Sequence, residues 1–211
     1  MKREELLEMC NGSMIVNKEV ARLLPNKTMT RRVITNQDVV GVSGRGVSFN
    51  THYGVFSNHI DNFTKDNAKH QIGDILWVRE PAKVTAYHRS FYDTKIDYQL
   101  HRNNKHEYRI DVPLRFLPNP KRWITGCLSV PNGCIREMAR LFVKITNVRI
   151  ERLQDIADLD IIQEGWSPII DSKVSMSDWF ASLWDTTAKS PCQWGDNPYV
   201  FVYEWEYIEY D

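Results

Sequence analysis

The sequence predicts a mixed α/β chain, mainly β, built as a small barrel with short flanking helices and loop insertions. Three observations carry this. Residues 75–79, 141–153 and 199–210 have strand periodicity or a continuous apolar run. The helical stretches between them are short. No Gly-rich phosphate loop follows a strand, which argues against a Rossmann or P-loop enzyme.

The elements follow in order. A short helix is expected near residues 3–9. After Asn11-Gly12-Ser13 a second helix runs over about 17–24, with Asn17 as N-cap and Val20, Leu23 and Leu24 at helical spacing. Pro25-Asn26 stops it. Residues 36–72 are polar, with Gly41, Gly44, Gly46 and Gly54, and read as loops with weak hairpin character. Gly73-Asp74 opens the strand Ile75-Leu76-Trp77-Val78-Arg79, whose near-continuous apolar run predicts burial on both faces. Residues 82–125 mix aromatics, histidines and bases and read as an insertion. In 141–153, Leu141, Val143 and Ile145 alternate, then Val148 and Ile150 alternate out of phase. The slip at Thr146-Asn147 predicts a bulge or tight turn. Asp158 caps a short helix ending at Glu164, with Gly165 as the C′ residue. Ser177 caps another helix carrying Trp179, Phe180, Leu183 and Trp184. Residues 199–210 form the closing strand, with Phe201, Tyr203, Trp205 and Tyr207 on one face. The chain reads as a single domain over 1–211, with insertions at about 36–70, 82–125 and 167–195.

Composition bounds the function classes. The chain has 211 residues, 42% of them hydrophobic, with 7 Trp, 9 Tyr and 8 Phe. That is enough for a core and excludes disorder or a fibrous class for most of the chain. No apolar run approaches the ~18 residues of a membrane helix, and the start is neither a secretory signal nor a transit peptide. Cys10, Cys127, Cys134 and Cys192 are too scattered for a disulfide framework. A cytoplasmic protein is expected. The net charge of zero conceals a division: residues 151–211 hold 13 acids and 3 bases, and residues 1–150 hold 14 acids and 24 bases. A chain so divided can present a basic surface, or its two parts can neutralise each other in the fold.

The motifs are few. Cys127 and Cys134 lack C-x-x-C pairing, and the six histidines fall in loop-like regions, so no metal site is expected. There is no G-x-S-x-G elbow. Asn26-Lys27-Thr28-Met29-Thr30-Arg31-Arg32 puts an amine, two hydroxyls and two guanidiniums in seven residues. Lys27 and Thr30 point to opposite faces of an ideal strand, but lie together in a turn or helical end. Clustered, they suit a base and nucleophile, or an anion-binding corner; otherwise the segment is a solvated basic turn. Glu164 ends its predicted helix, where an acid opposes the macrodipole, and such a broken rule can mark function. Arg79-Glu80 can be an ion pair or a ligand contact. Trp77, Trp123, Trp166 and Trp194 can be base-stacking platforms or core residues.

Lys27-Thr28-Met29-Thr30-Arg31-Arg32 resembles the G-R-K-T-x-T-x-R signature of the ASCH domain family, with Pro-Asn in place of Gly-Arg. Gly73-Asp74-Ile75-Leu76-Trp77-Val78-Arg79-Glu80 resembles the G-D-x-L-W-V-R-E strand of its phage and prophage branch. Residues 148–165, with Gln163-Glu164-Gly165, resemble its third block, and residues 197–206 its closing strand. The resemblance implies a PUA-like β-barrel with a cleft beside the lysine–threonine segment. The superfamily is associated with RNA and modified nucleobases. A small bacterial member is an amidohydrolase that removes the acetyl group from N4-acetylcytidine with a lysine, a threonine and a glutamate. Those positions match Lys27, Thr30 and Glu164 here, as base, nucleophile and acid. Thr28, Arg31, Arg32, Trp77, Arg79 and Glu80 are the expected substrate or nucleic-acid contacts. No cofactor is implied. The expected partner is a nucleoside or single-stranded nucleic acid, RNA before DNA. The alternatives are a non-catalytic RNA/DNA-binding module, or a phage-encoded protein that engages a host factor in the host cytoplasm through its acidic C-terminal portion. No membrane partner is expected.

Overall fold

The computed structural model describes residues 1–24, 26–34, 40–43, 46–49, 64, 66–81, 93–97, 109–113, 134–168 and 174–211. It is a mixed α/β fold, mainly β, with few helices. The helices are α1 (Arg3–Met9), α2 (Lys18–Ala21), α3 (Asp158–Gln163) and α4 (Met176–Thr187). The strands are β1 (Gly12–Ile15), β2 (Met29–Val33), β3 (Val40–Ser43), β4 (Gly46–Phe49), β5 (Ile75–Arg79), β6 (Asp93–Asp97), β7 (Arg109–Pro113), β8 (Phe142–Arg152) and β9 (Tyr199–Tyr207). Five strands form a sheet in the order β1-β5-β8-β9-β2; β3-β4 and β6-β7 are separate two-stranded ribbons. Among the described residues, no helix is long and apolar enough to cross a membrane.

The chain divides into two compact units. The first comprises Met1–Leu24, Asp74–Lys144 and Tyr207–Asp211. Here α1 forms as expected and buries Leu6 and Leu7 against Ala139 and Phe142, with Cys10, Trp77, Ile208 and Tyr210 packed around them. The Phe142 and Tyr210 rings meet edge-on at 5.5 Å, and the Tyr210 hydroxyl donates to the Arg140 carbonyl. Asn17 caps α2 by accepting from the Val20 N–H at 2.8 Å, but α2 is one turn long and 22–24 continue as turns. β1 falls between the two expected helices, where the sequence reading named no strand. It pairs in parallel with β5, a long-range partner that local pattern does not reveal. β5 has the expected bounds, but only one face is fully buried: Leu76 and Val78 are inside while Ile75, Trp77 and Arg79 are half-buried. The expected two-sided burial is therefore corrected to one side. The 82–125 segment contains the antiparallel β6-β7 ribbon.

The second unit comprises Pro25–Gly73 and Ile145–Glu206. Its core is Met29, Leu153, Ile161, Phe180, Trp184, Val200 and Val202, drawn from β2, β9, α3, α4 and the 3-10 turn Leu153–Asp155 that follows β8. β8 is continuous, so the phase slip at Thr146-Asn147 is absorbed without a break. Ser175, not Ser177, caps α4 by accepting from the Asp178 N–H, which places Phe180 and Trp184 one turn apart on the buried face. β2 pairs antiparallel with β9, Thr30 opposite Tyr203 and Arg31 opposite Val202. The lysine–threonine segment is thus a loop entering a strand, where the sequence allowed a turn or helical end.

Candidate functional site

The end of α3 sets the geometry. Trp166 N–H bonds the Ile161 carbonyl and Gly165 N–H the Ile162 carbonyl, a Schellman closure that needs the left-handed Gly165 at φ 108°. Gly165 is thus the expected C′ residue; the N-cap is Ala157, with Asp158 inside the first turn. Two terminal carbonyls remain, and the 27–28 segment takes both. Thr28 N–H bonds Gln163 O at 2.8 Å, and Lys27 Nζ donates to Glu164 O at 3.2 Å. Lys27 Nζ also donates to Glu164 Oε2. A lysine on the last carbonyls answers the macrodipole that the Glu164 carboxylate opposes.

Lys27 is 2% exposed and Glu164 3%. Desolvation by burial pushes the Lys27 ammonium below the ordinary lysine range; Glu164 opposes this, and Arg32 and Arg31 add to it. Glu164 Oε1 accepts from Arg31 Nη1 at 3.0 Å. The same guanidinium donates from Nε and Nη2 to Glu151 and from Nη2 to Asp160, and Nη1 meets the Met29 sulfur. These contacts engage all five of its N–H donors. The side chain is 0% exposed, with Phe180 5.8 Å away. Arg149 completes the cluster, donating to Glu151, Asp160 and Glu204, and Asn147 bonds Glu204. The sequence reading did not single out Glu151, Asp160 or Glu204 as site residues, and it read Arg149 as a phosphate contact, where the structure turns it onto these carboxylates. Their only signal was the opposed charge of the two chain portions.

Arg31 was expected at a substrate or nucleic acid. Its geometry corrects that: every donor faces inward, so it holds Glu164 in place. Thr30 and Arg32 project from the opposite pleat of β2. Thr30 is 4% exposed, and its Oγ1 accepts from Arg32 Nη1 at 3.1 Å. Arg32 is exposed to solvent, yet desolvation lowers its pKa first and Glu164 and Tyr203 raise it. β2 stands last in the strand order, so groups from its two faces can meet round its edge. The structure therefore joins Lys27 directly to Glu164, and Thr30 to Arg32. Thr28 contributes its backbone, its carbonyl accepting from Trp205 N–H at 3.0 Å.

Trp77, Arg79 and Glu80 lie in the first unit. Trp77 packs on that unit's core, with the Arg79 guanidinium 5.5 Å from its ring. Glu80 is 0% exposed and bound by both Arg140 Nε (2.9 Å) and Nη2 (2.7 Å). Burial raises its pKa and Arg140 opposes that rise. Glu80 is thereby corrected from a ligand contact to half of an internal ion pair. Trp166 and Trp194 pack against the second unit's core; Trp123 and Cys127 lie outside the described residues. No family model, curated protein or solved structure gives a significant match to the chain.

Proposed function

We propose that the protein is an ASCH-type protein with a PUA-like barrel that hydrolyses the amide of an acylated pyrimidine nucleoside, of the N4-acetylcytidine kind. The observation that carries this reading is the buried Lys27, its pKa lowered by desolvation, fixed on Glu164 in the same short segment as a threonine polarised by Arg32. A neutral lysine at working pH is what a general base requires. Thr30 Oγ attacks the acetyl carbon while Lys27 takes the hydroxyl proton. Glu164 accepts a hydrogen bond from the resulting ammonium. Arg32, already donating to Oγ1, is placed to face the oxyanion. The carbon–nitrogen bond then breaks, the proton passes from Lys27 to N4, and cytidine leaves. Water, deprotonated by Lys27, releases acetate from Thr30.

A binding module without turnover has less support. Arg31 has no outward donor, and of the basic residues from Lys121 to Arg152, which a binding module would turn to phosphates, the described Arg140, Arg149 and Arg152 have internal partners. Incubation with a panel of acylated nucleosides should release cytidine from N4-acetylcytidine. Lys27→Ala and Thr30→Val should lose the activity by at least ~100-fold, as removal of a base or nucleophile does, with Thr30→Ser retaining part of it. Wild type and Lys27→Ala equally inert across the panel would end this reading.

A further inference from the structure

The pleat that carries Thr30 and Arg32 continues onto β9. By the β2–β9 register, Thr28, Thr30 and Arg32 share a face with Phe201, Tyr203 and Trp205. Much of this face is already satisfied. Tyr203 OH accepts from the Lys69 N–H at 3.1 Å. Its ring meets His70 edge-on at 5.8 Å and Phe201 at 6.2 Å. Trp205 is the exception: it is 5% exposed, and its buried indole N–H has no hydrogen-bond partner among the described residues. A buried orphan donor costs about 1–3 kcal/mol, and one on the same sheet face as Thr30 calls for an acceptor that arrives from outside. Trp166 has a buried unpartnered N–H too, but its ring belongs to the opposite, helix-covered face.

We propose that this strand face is the base-recognition half of the site, where Trp205 Nε1–H donates to a ring carbonyl oxygen of a pyrimidine. The inference rests on the nucleoside reading above and names what in the nucleoside is read. Phe201 and Tyr203 supply an apolar, aromatic wall of the kind that planar rings pack against. The ring carbonyl supplies the acceptor that the indole lacks. A site built to hydrogen-bond a carbonyl rejects a ring without one, because the donor is again left unpaired.

The test is calorimetric binding of cytidine and of 2-thiocytidine, whose sulfur is a weak acceptor, to wild type and Trp205→Phe, with N4-acetylcytidine turnover measured alongside. Phenylalanine keeps an aromatic ring and removes the donor. Wild type should prefer cytidine over 2-thiocytidine by about tenfold, the size of one neutral hydrogen bond. Trp205→Phe should lose that preference and bind cytidine about tenfold more weakly. Trp205-dependent binding without turnover would support this inference while the hydrolysis reading failed. Turnover with an unchanged preference in Trp205→Phe, or wild type that binds neither nucleoside, would overturn the inference.

Discussion

Replacing Arg31 with methionine should destabilise the protein by about 3–5 kcal/mol, the cost of removing one partner from a buried ionic cluster. The melting midpoint should fall by roughly 10 °C for a chain of this size. Methionine fills much the same volume, so lost packing does not dominate. The loss comes from charge: Glu151, Asp160 and Glu164 all lie within hydrogen-bond reach of this guanidinium, and the variant leaves them facing one another. Arg149 still reaches Glu151 and Asp160, and Lys27 still reaches Glu164, but each of the three carboxylates loses its bond to the buried guanidinium. Arg31→Lys should recover less than half of the loss, because a single ammonium cannot replace a planar fork that meets three carboxylates. Thermal or urea melts of the two variants beside wild type decide the matter. A midpoint for Arg31→Met within about 0.5 kcal/mol of wild type, the range of surface substitutions, would contradict the buried cluster.

Glu164→Gln should cost less stability than Arg31→Met, yet strongly reduce activity. The difference follows from the cations left behind. Arginine keeps its charge, whereas a buried lysine can shed its proton. Glu164 is the group that holds the Lys27 pKa up against burial. Without it that pKa drops further, and the acidic limb of any Lys27-dependent rate should move to lower pH. The plateau should fall by about 10²–10³-fold, since glutamine cannot hold the ammonium formed during turnover. The same linkage gives a sign for stability. The folded Lys27 pKa lies below the ordinary value of 10.5, so between the two the unfolded chain binds more protons. Stability in wild type should rise with pH through that window, and Lys27→Met should flatten the rise. Melts of both proteins across neutral to alkaline pH measure this.

What the sequence makes legible is local. α1, the bounds of β5 and the Gly165 stop all follow from capping, apolar runs and turn chemistry. Glu164 stands out because an acid at a helix C-terminus breaks a local rule, and the structure answers it with Lys27. β2 is not legible as a strand because Thr30-Arg31-Arg32 looks like a solvated turn. Arg31 can be buried there only because its carboxylate partners arrive 120 to 133 residues later. β1 hides for the same reason, its parallel partner being some sixty residues away in sequence. The charge division of the chain points the right way in retrospect. Lys27, Arg31 and Arg149 come from the basic portion, Glu151, Asp160, Glu164 and Glu204 from the acidic one, and in this unit they neutralise each other. The Trp205 donor has no sequence signal, since an orphan is visible only once its neighbours are placed.

The pH profile of cytidine release from N4-acetylcytidine tests the central claim, that buried Lys27 is the base. The claim predicts a rate that rises with pH through one ionisation below the ordinary lysine range, shifts to lower pH in Glu164→Gln and is absent in Lys27→Met. A rate that is flat in pH, or a limb that survives in Lys27→Met, would contradict it.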